Sequence, residues 1–334
     1  MVANARGGVL WLAILAPAIL IPSAASSPLT VEAVPASQEI RINIAGKHFT
    51  SYKFAETQKY PYLYPVAAPA SGASVTTESS EPYPHHHSLF FGCDKVNGNN
   101  YWQDENEQGQ ILSQGPKIIE ASGNRVVIED TCLWQRAGAE PDIRDTRTIV
   151  VAAPSDSVRR IDFEITLEPL KDVRIEKTNH SLFAARVVPE LSVTNGGRLV
   201  NAEGKEKEAG TYGVPSPWCS YSSERDGVRE GIAIFQHSTN RWYPSQWFTR
   251  DYGFFSPTPM YWLPDGHLDL PKGERLTLRY RVVVYSGDVD IGALFAEYAD
   301  NPPNTNQSTV RQRAGSGSAV LGLTRTSISR GPIR

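Results

Sequence analysis

The chain has 334 residues, 40% hydrophobic and 21% charged, with 33 basic against 36 acidic side chains. Taking away Arg6 and the five arginines that follow Thr305 leaves 27 basic against 36 acidic, so the body carries a net charge of −9. An acidic body repels phosphate backbones, which argues against nucleic acid as a partner. The three cysteines, Cys93, Cys132 and Cys219, allow at most one bridge, so the core must come from burial.

In chain order, Arg6, the apolar run 9–21 and Ser23-Ala24-Ala25 read as an export signal over 1–25. That run is shorter than the ~20 residues a membrane span requires, and no later segment reaches that length. The expectation is a secreted, periplasmic or extracellular protein with no membrane insertion after signal removal. Residues 26–38 read as a leader, and 39–56 as the first strands. A strand over 84–91 would send His85 and His87 to one face and His86, Ser88 and Phe90 to the other. The stretches 117–120 and 125–130 flank Ala121-Ser122-Gly123-Asn124 as a hairpin. Further strands are expected at 146–152, 173–178, 182–188 and 229–235. Ile161, Phe163, Ile165 and Leu167 alternate with Asp162, Glu164 and Thr166, the pattern of a half-buried strand. Leu276, Leu278, Tyr280, Val282 and Val284 alternate in the same way. Ile291, Leu294, Phe295 and Tyr298 recur at helical spacing, with Asp288 or Asp290 as the cap. From about Pro302 the chain is rich in Ser, Gly, Thr and Arg and reads as a disordered basic tail. With no alternation of strand and helix, the fold class is all-β: a large antiparallel β-sandwich over 39–301 with one C-terminal helix.

Residue types that do chemistry gather in four stretches. The first is Tyr83-Pro84-His85-His86-His87 with Asn97 and Trp102; the second is Lys177-Thr178-Asn179-His180 with Arg186. The third is Pro217-Trp218 with Gln236 to Trp242, including His237 and Asn240, and the fourth is Trp247 with Arg250-Asp251-Tyr252-Gly253. Aromatic faces beside fixed polar donors suit a sugar ring. His85 and His87 on one strand face, joined by His237, would instead hold a divalent metal. Taken singly, a histidine, tryptophan or Arg–Asp pair of this kind is as well explained by core packing or a surface ion pair.

The ordered stretches "YPYLYPV" (60–66), "YPHHHSLFFG" (83–92), "VNGNNYW" (96–102), "GIAIFQHSTN" (231–240) and "WFTRDYGFF" (247–255) resemble a family of secreted bacterial proteins labelled PmoA-like, or "methane oxygenase PmoA". The label implies a copper-dependent membrane oxygenase, whereas no span follows the signal here; a metal-dependent oxidase is the distant alternative. "KTNHSLF" (177–183) is similar to a motif of galactose mutarotase-type sugar epimerases. That resemblance implies a β-supersandwich, with the catalytic acid on His180 and an earlier histidine on His85 or His86. Phe235 and Gln236 stand in the region of the glutamate base of those epimerases, so that base is missing or has moved.

These readings converge on an exported carbohydrate-active protein, an epimerase, lyase or hydrolase using histidine acid–base chemistry. His180, His85 and His86 are the catalytic candidates. Trp102, Asn97, Arg186, His237, Asn240, Trp247 and Arg250 are the candidates for binding a sugar or glycoside, with the arginines taking hydroxyls or a carboxylate. A non-catalytic carbohydrate-binding protein is the rival reading.

Overall fold

The computed structural model describes residues 28–103 and 105–300. The expected signal at 1–25 and basic tail at 302–334 lie outside the described residues.

Two nine-stranded antiparallel sheets face each other. The first runs in the order Trp247–Arg250, Phe254–Pro257, Ser181–Arg186, Leu89–Cys93, Tyr62–Leu63, Lys47–Lys53, Glu39–Ile44, Val31–Pro35 and Ser122–Gly123. The second runs Arg198–Asn201, Trp218–Arg225, Val228–Gln236, Leu276–Ser286, Val158–Pro169, Ile143–Ser155, Arg125–Gln135 and Gln110–Ser113, with Lys117–Glu120 also paired to Arg125–Gln135. Phe183 of the first sheet packs on Phe163 and Tyr280 of the second at 4.9 Å each, and Phe91 lies 6.2 Å from Phe163. The antiparallel β-sandwich read from the alternating pattern is therefore the fold, and all three cysteines are buried and free.

The helix Ile291–Asp300 lies where the 3–4 spacing put it. Asp290 Oδ1 accepts from the Ala293 N–H, which caps the first turn. Ile291, Leu294, Phe295 and buried Tyr298 pack on Val158, Phe235, Val283 and Tyr285 of the second sheet.

Three local outcomes differ from the sequence pattern. Val31–Pro35, within the expected leader, is already a strand paired with Glu39–Ile44. The strand expected from Pro84 begins only at Leu89; His85 lies in a turn, and His86 and His87 in the irregular segment after it. Pro82 and Pro84 have no N–H for a ladder, His86 N–H bonds back to Tyr83, and Ser88 adopts φ 54°. The face alternation expected for the three histidines therefore does not hold.

The third outcome is a charged pair inside the sandwich. Ile143–Ser155 alternates as a strand should, yet two of its inward positions are Asp145 and Arg147, 0% and 1% exposed. Arg147 Nε and Nη2 donate to Asp145 Oδ1 and Oδ2 at 2.9 and 2.7 Å, and Trp134 Nε1 donates to Oδ2 at 2.7 Å. The Arg147 guanidinium also lies 6.0 Å over the Phe163 ring.

Candidate active site

Strand register builds the central pair. Ser181–Arg186 runs antiparallel to Leu89–Cys93, with Ser181 opposite Cys93. His180, just before one strand, therefore meets Asp94, just after the other: the Asp94 N–H donates to the His180 carbonyl at 3.0 Å. The side chains follow, with His180 Nδ1 3.1 Å from Asp94 Oδ2. With Nδ1 donating to the carboxylate, Nε2 is left as the proton-accepting nitrogen. Trp102 lies nearly parallel to the His180 ring at 5.9 Å and fixes its plane.

The alternation of the same strands decides which side chains join this pair. Phe91 and Phe183 point between the sheets, so Phe90, Arg186 and, opposite it, Phe254 point to the outer face. One strand further, Phe248 and Arg250 share that face, because Arg250 is paired with Phe254. The histidine turn folds back over it: His86 lies 4.4 Å from Phe254 and 6.4 Å from Phe90. The result is a recess of about 110 Å³ between Tyr83, His86, Asn179, His180, Phe248, Arg250, Tyr252 and Phe254. Its volume equals roughly four waters at ~30 Å³ each, room for one part of a small molecule rather than the whole.

Several buried polar atoms around the recess have no partner among the described residues: Asp94 Oδ1, His86 Nδ1, Trp102 Nε1, and Arg186 Nε and Nη1. Native structures leave few such atoms. Five such atoms belong to residues packed at or around one recess.

The structure brings together His180, His86, Trp102, Arg186 and Arg250, with His85 next to them at 6.2 Å from His180 and 4.4 Å from His86. It separates the rest. His87 stacks on Tyr62 at 5.0 Å and its Nδ1 meets the Glu78 carbonyl at 2.6 Å. His237, at the end of a second-sheet strand, bonds to Thr239 Oγ1 at 2.8 Å and packs against Tyr298. The metal set His85, His87 and His237 is thus dispersed, and no group of three or more His, Cys, Asp or Glu among the described residues is placed to hold a metal. Asn240 is engaged by the Arg279 backbone on both its amide nitrogen and its oxygen. Asn97 holds the Arg174 N–H and the Asp172 carbonyl in a turn. Trp247 is fully buried, donating to the Ser216 carbonyl at 2.7 Å and lying beside Phe255 at 6.2 Å. One step in register separates it from Phe248, which faces the recess.

Sequence reasoning missed Asp94 as the partner of His180 and missed Phe248 and Phe254 as walls. The only local signal for Asp94 was a carboxylate directly after the apolar run "LFFGC".

Burial, with the charges of His85, Arg186 and His180, pushes the His86 pKa down to about 2. A folded pKa below the unfolded value of ~6.5 means that the unfolded chain takes up this proton first. The contribution is therefore intact above pH 6.5 and is lost progressively as pH falls from there toward 2. His86→Gln is expected to flatten the fall in unfolding free energy by about one proton's slope, ~1.4 kcal/mol per pH unit. Urea denaturation at pH 7.5 and 5.5 checks this, and parallel slopes for the two proteins would contradict it.

Residues 39–299 match the model of a family described as a family of unknown function, DUF6807. This chain belongs to the DUF6807 family. No curated protein matches it. Among solved structures, the chain is similar to a GH36 alpha-galactosidase, AgaA, from Geobacillus stearothermophilus (9% identity, TM-score 0.37, 77% of this chain and 40% of that one). It is also similar to heparan sulfate lyase HepC from Pedobacter heparinus (9%, 0.36, 82% and 38%) and to a putative aldose 1-epimerase from Escherichia coli (11%, 0.31, 78% and 100%). The DUF6807 chain spans about two-fifths of the galactosidase and lyase chains. The family description carries no methane-oxygenase activity.

Proposed function

We propose that this DUF6807 protein is an exported carbohydrate-active enzyme that acts on a sugar or glycoside by acid–base chemistry at His180. The observation that carries this reading is the cluster of unpartnered polar atoms around a His–Asp pair, beside a recess walled by aromatic rings. Asp94 holds the imidazole in one tautomer and stabilises it when protonated, so Nε2 exchanges a proton with a sugar hydroxyl, ring oxygen or activated C–H. Tyr83, Phe248, Tyr252 and Phe254 offer flat faces to the C–H side of a ring. Arg250 is held by Glu208 at 2.8 Å and lies 4.1 Å over Phe248, so its remaining donors can take hydroxyls. Burial pushes the Tyr252 pKa up to about 12, which keeps that phenol a hydrogen-bond donor.

The binding-protein alternative has its own support. None of the residues lining the recess is a carboxylate. Gln236, in the region where the epimerase motif has its base, is buried against Ser216 and Ser245. Proton NMR of the protein with a panel of aldoses, glycosides and oligosaccharides separates the two readings. Turnover or accelerated anomeric exchange supports the enzyme, saturable binding without turnover supports the binder, and neither overturns both. Export carries its own test: N-terminal sequencing of the mature protein should begin near Ser26 in the extracytoplasmic fraction.

A further inference from the structure

Of two neighbouring arginines, Arg250 lines the recess and Arg186 packs behind its Tyr252 wall. Arg250 is neutralised by Glu208. Arg186 is 4% exposed and forms no ion pair with any described residue, and its Nε and Nη1 are buried without a partner. Its guanidinium carbon lies 4.3 Å from the centre of the Tyr252 ring, which walls the recess, and its strand partner Phe254 walls it too. The titratable groups facing it are the phenols of Tyr252, Tyr221 and Tyr83 and the imidazole of His86, with no carboxylate among them.

An unpaired charge in this position is costly to the folded state. Stacking on Tyr252 covers one face of the guanidinium and leaves the edge donors for an acceptor lying in its plane. A planar carboxylate can take two of those donors side by side. The body's net negative charge does not favour anions in general, so the attraction is local to this side chain.

We infer that Arg186 is the counter-ion of a substrate carboxylate, so that the ligand of this recess is an acidic sugar, a uronate or uronoside, and not a neutral hexose. The inference rests on the carbohydrate reading above and narrows it. The carboxylate enters beside Tyr83, on the exposed turn ahead of the histidines, and the ring carbons extend toward His180 along the aromatic wall. A recess of about 110 Å³ accepts such a group while the rest of the saccharide stays outside.

Calorimetry on the full chain tests this with methyl glucuronide and methyl galacturonide against methyl glucoside, methyl galactoside and glucose 6-phosphate. A uronoside should bind at least about tenfold more tightly than its neutral counterpart, with the advantage falling as salt rises. Arg186→Met should erase that preference, leave weak binding of the neutral glycosides in place, and not lower the melting temperature of the unliganded protein. Arg186→Lys should recover part of the preference. Equal affinity for acidic and neutral glycosides would overturn the uronate assignment while leaving the carbohydrate reading intact. Tighter binding of the phosphate would overturn the carboxylate. A drop in melting temperature with unchanged selectivity would make Arg186 structural. No binding of any glycoside would remove both readings together.

Discussion

His180→Ala is expected to lower kcat by about 10³-fold, within the range removed with a general acid or base, while ligand affinity changes only a few-fold. The reason lies in the division of labour at the recess. His180 holds the one ring nitrogen oriented for proton transfer, with Nδ1 committed to Asp94, whereas binding surface is spread over Tyr83, Phe248, Tyr252 and Phe254. Asp94 acts through the histidine as a positioning residue. Asp94→Asn should therefore lower kcat by about 10²-fold and leave KM nearly unchanged, since an amide no longer holds the imidazole in the working tautomer. Steady-state kinetics across pH 5–9, with calorimetric affinity for the same ligand, checks all of these. Equal losses in kcat/KM and affinity from His180→Ala would assign the histidine to binding and favour the non-catalytic reading.

Arg147→Ala is expected to destabilise the fold by about 3–5 kcal/mol, the usual cost of removing one partner of a buried ion pair. Asp145 is then left charged and fully buried, holding only the Trp134 indole N–H of its former partners. The double variant Asp145→Leu/Arg147→Met should lose much less, because no charge is stranded between the sheets. Urea midpoints with unchanged m-values would measure both effects. A double variant no more stable than Arg147→Ala would show that the pair contributes more than its mutual neutralisation.

The sequence by itself determined what depends on local periodicity. Alternation at Ile161–Leu167 and Leu276–Val284 fixed strands with one wet and one dry face, and the 3–4 spacing of Ile291, Leu294, Phe295 and Tyr298 fixed the helix, because those patterns have one backbone period that buries them. His180 was legible too, through a short motif lying at a strand start. What joins the site was decided only by pairing between distant strands. Asp94 and His180 are 86 residues apart and meet because Cys93 is opposite Ser181. Trp247 and Phe248 are adjacent in sequence and equally apolar, and only the register with Phe254–Pro257 sends the first into the core and the second to the recess. The histidine run departs from its expected strand for a local reason: its composition fits a strand, but two prolines and the left-handed Ser88 turn it back over the sheet, so that His86 enters the site and His87 leaves it. Local sequence sets which face a residue can show its neighbours; which neighbours are present at that face is a long-range property that only the assembled sheets supply.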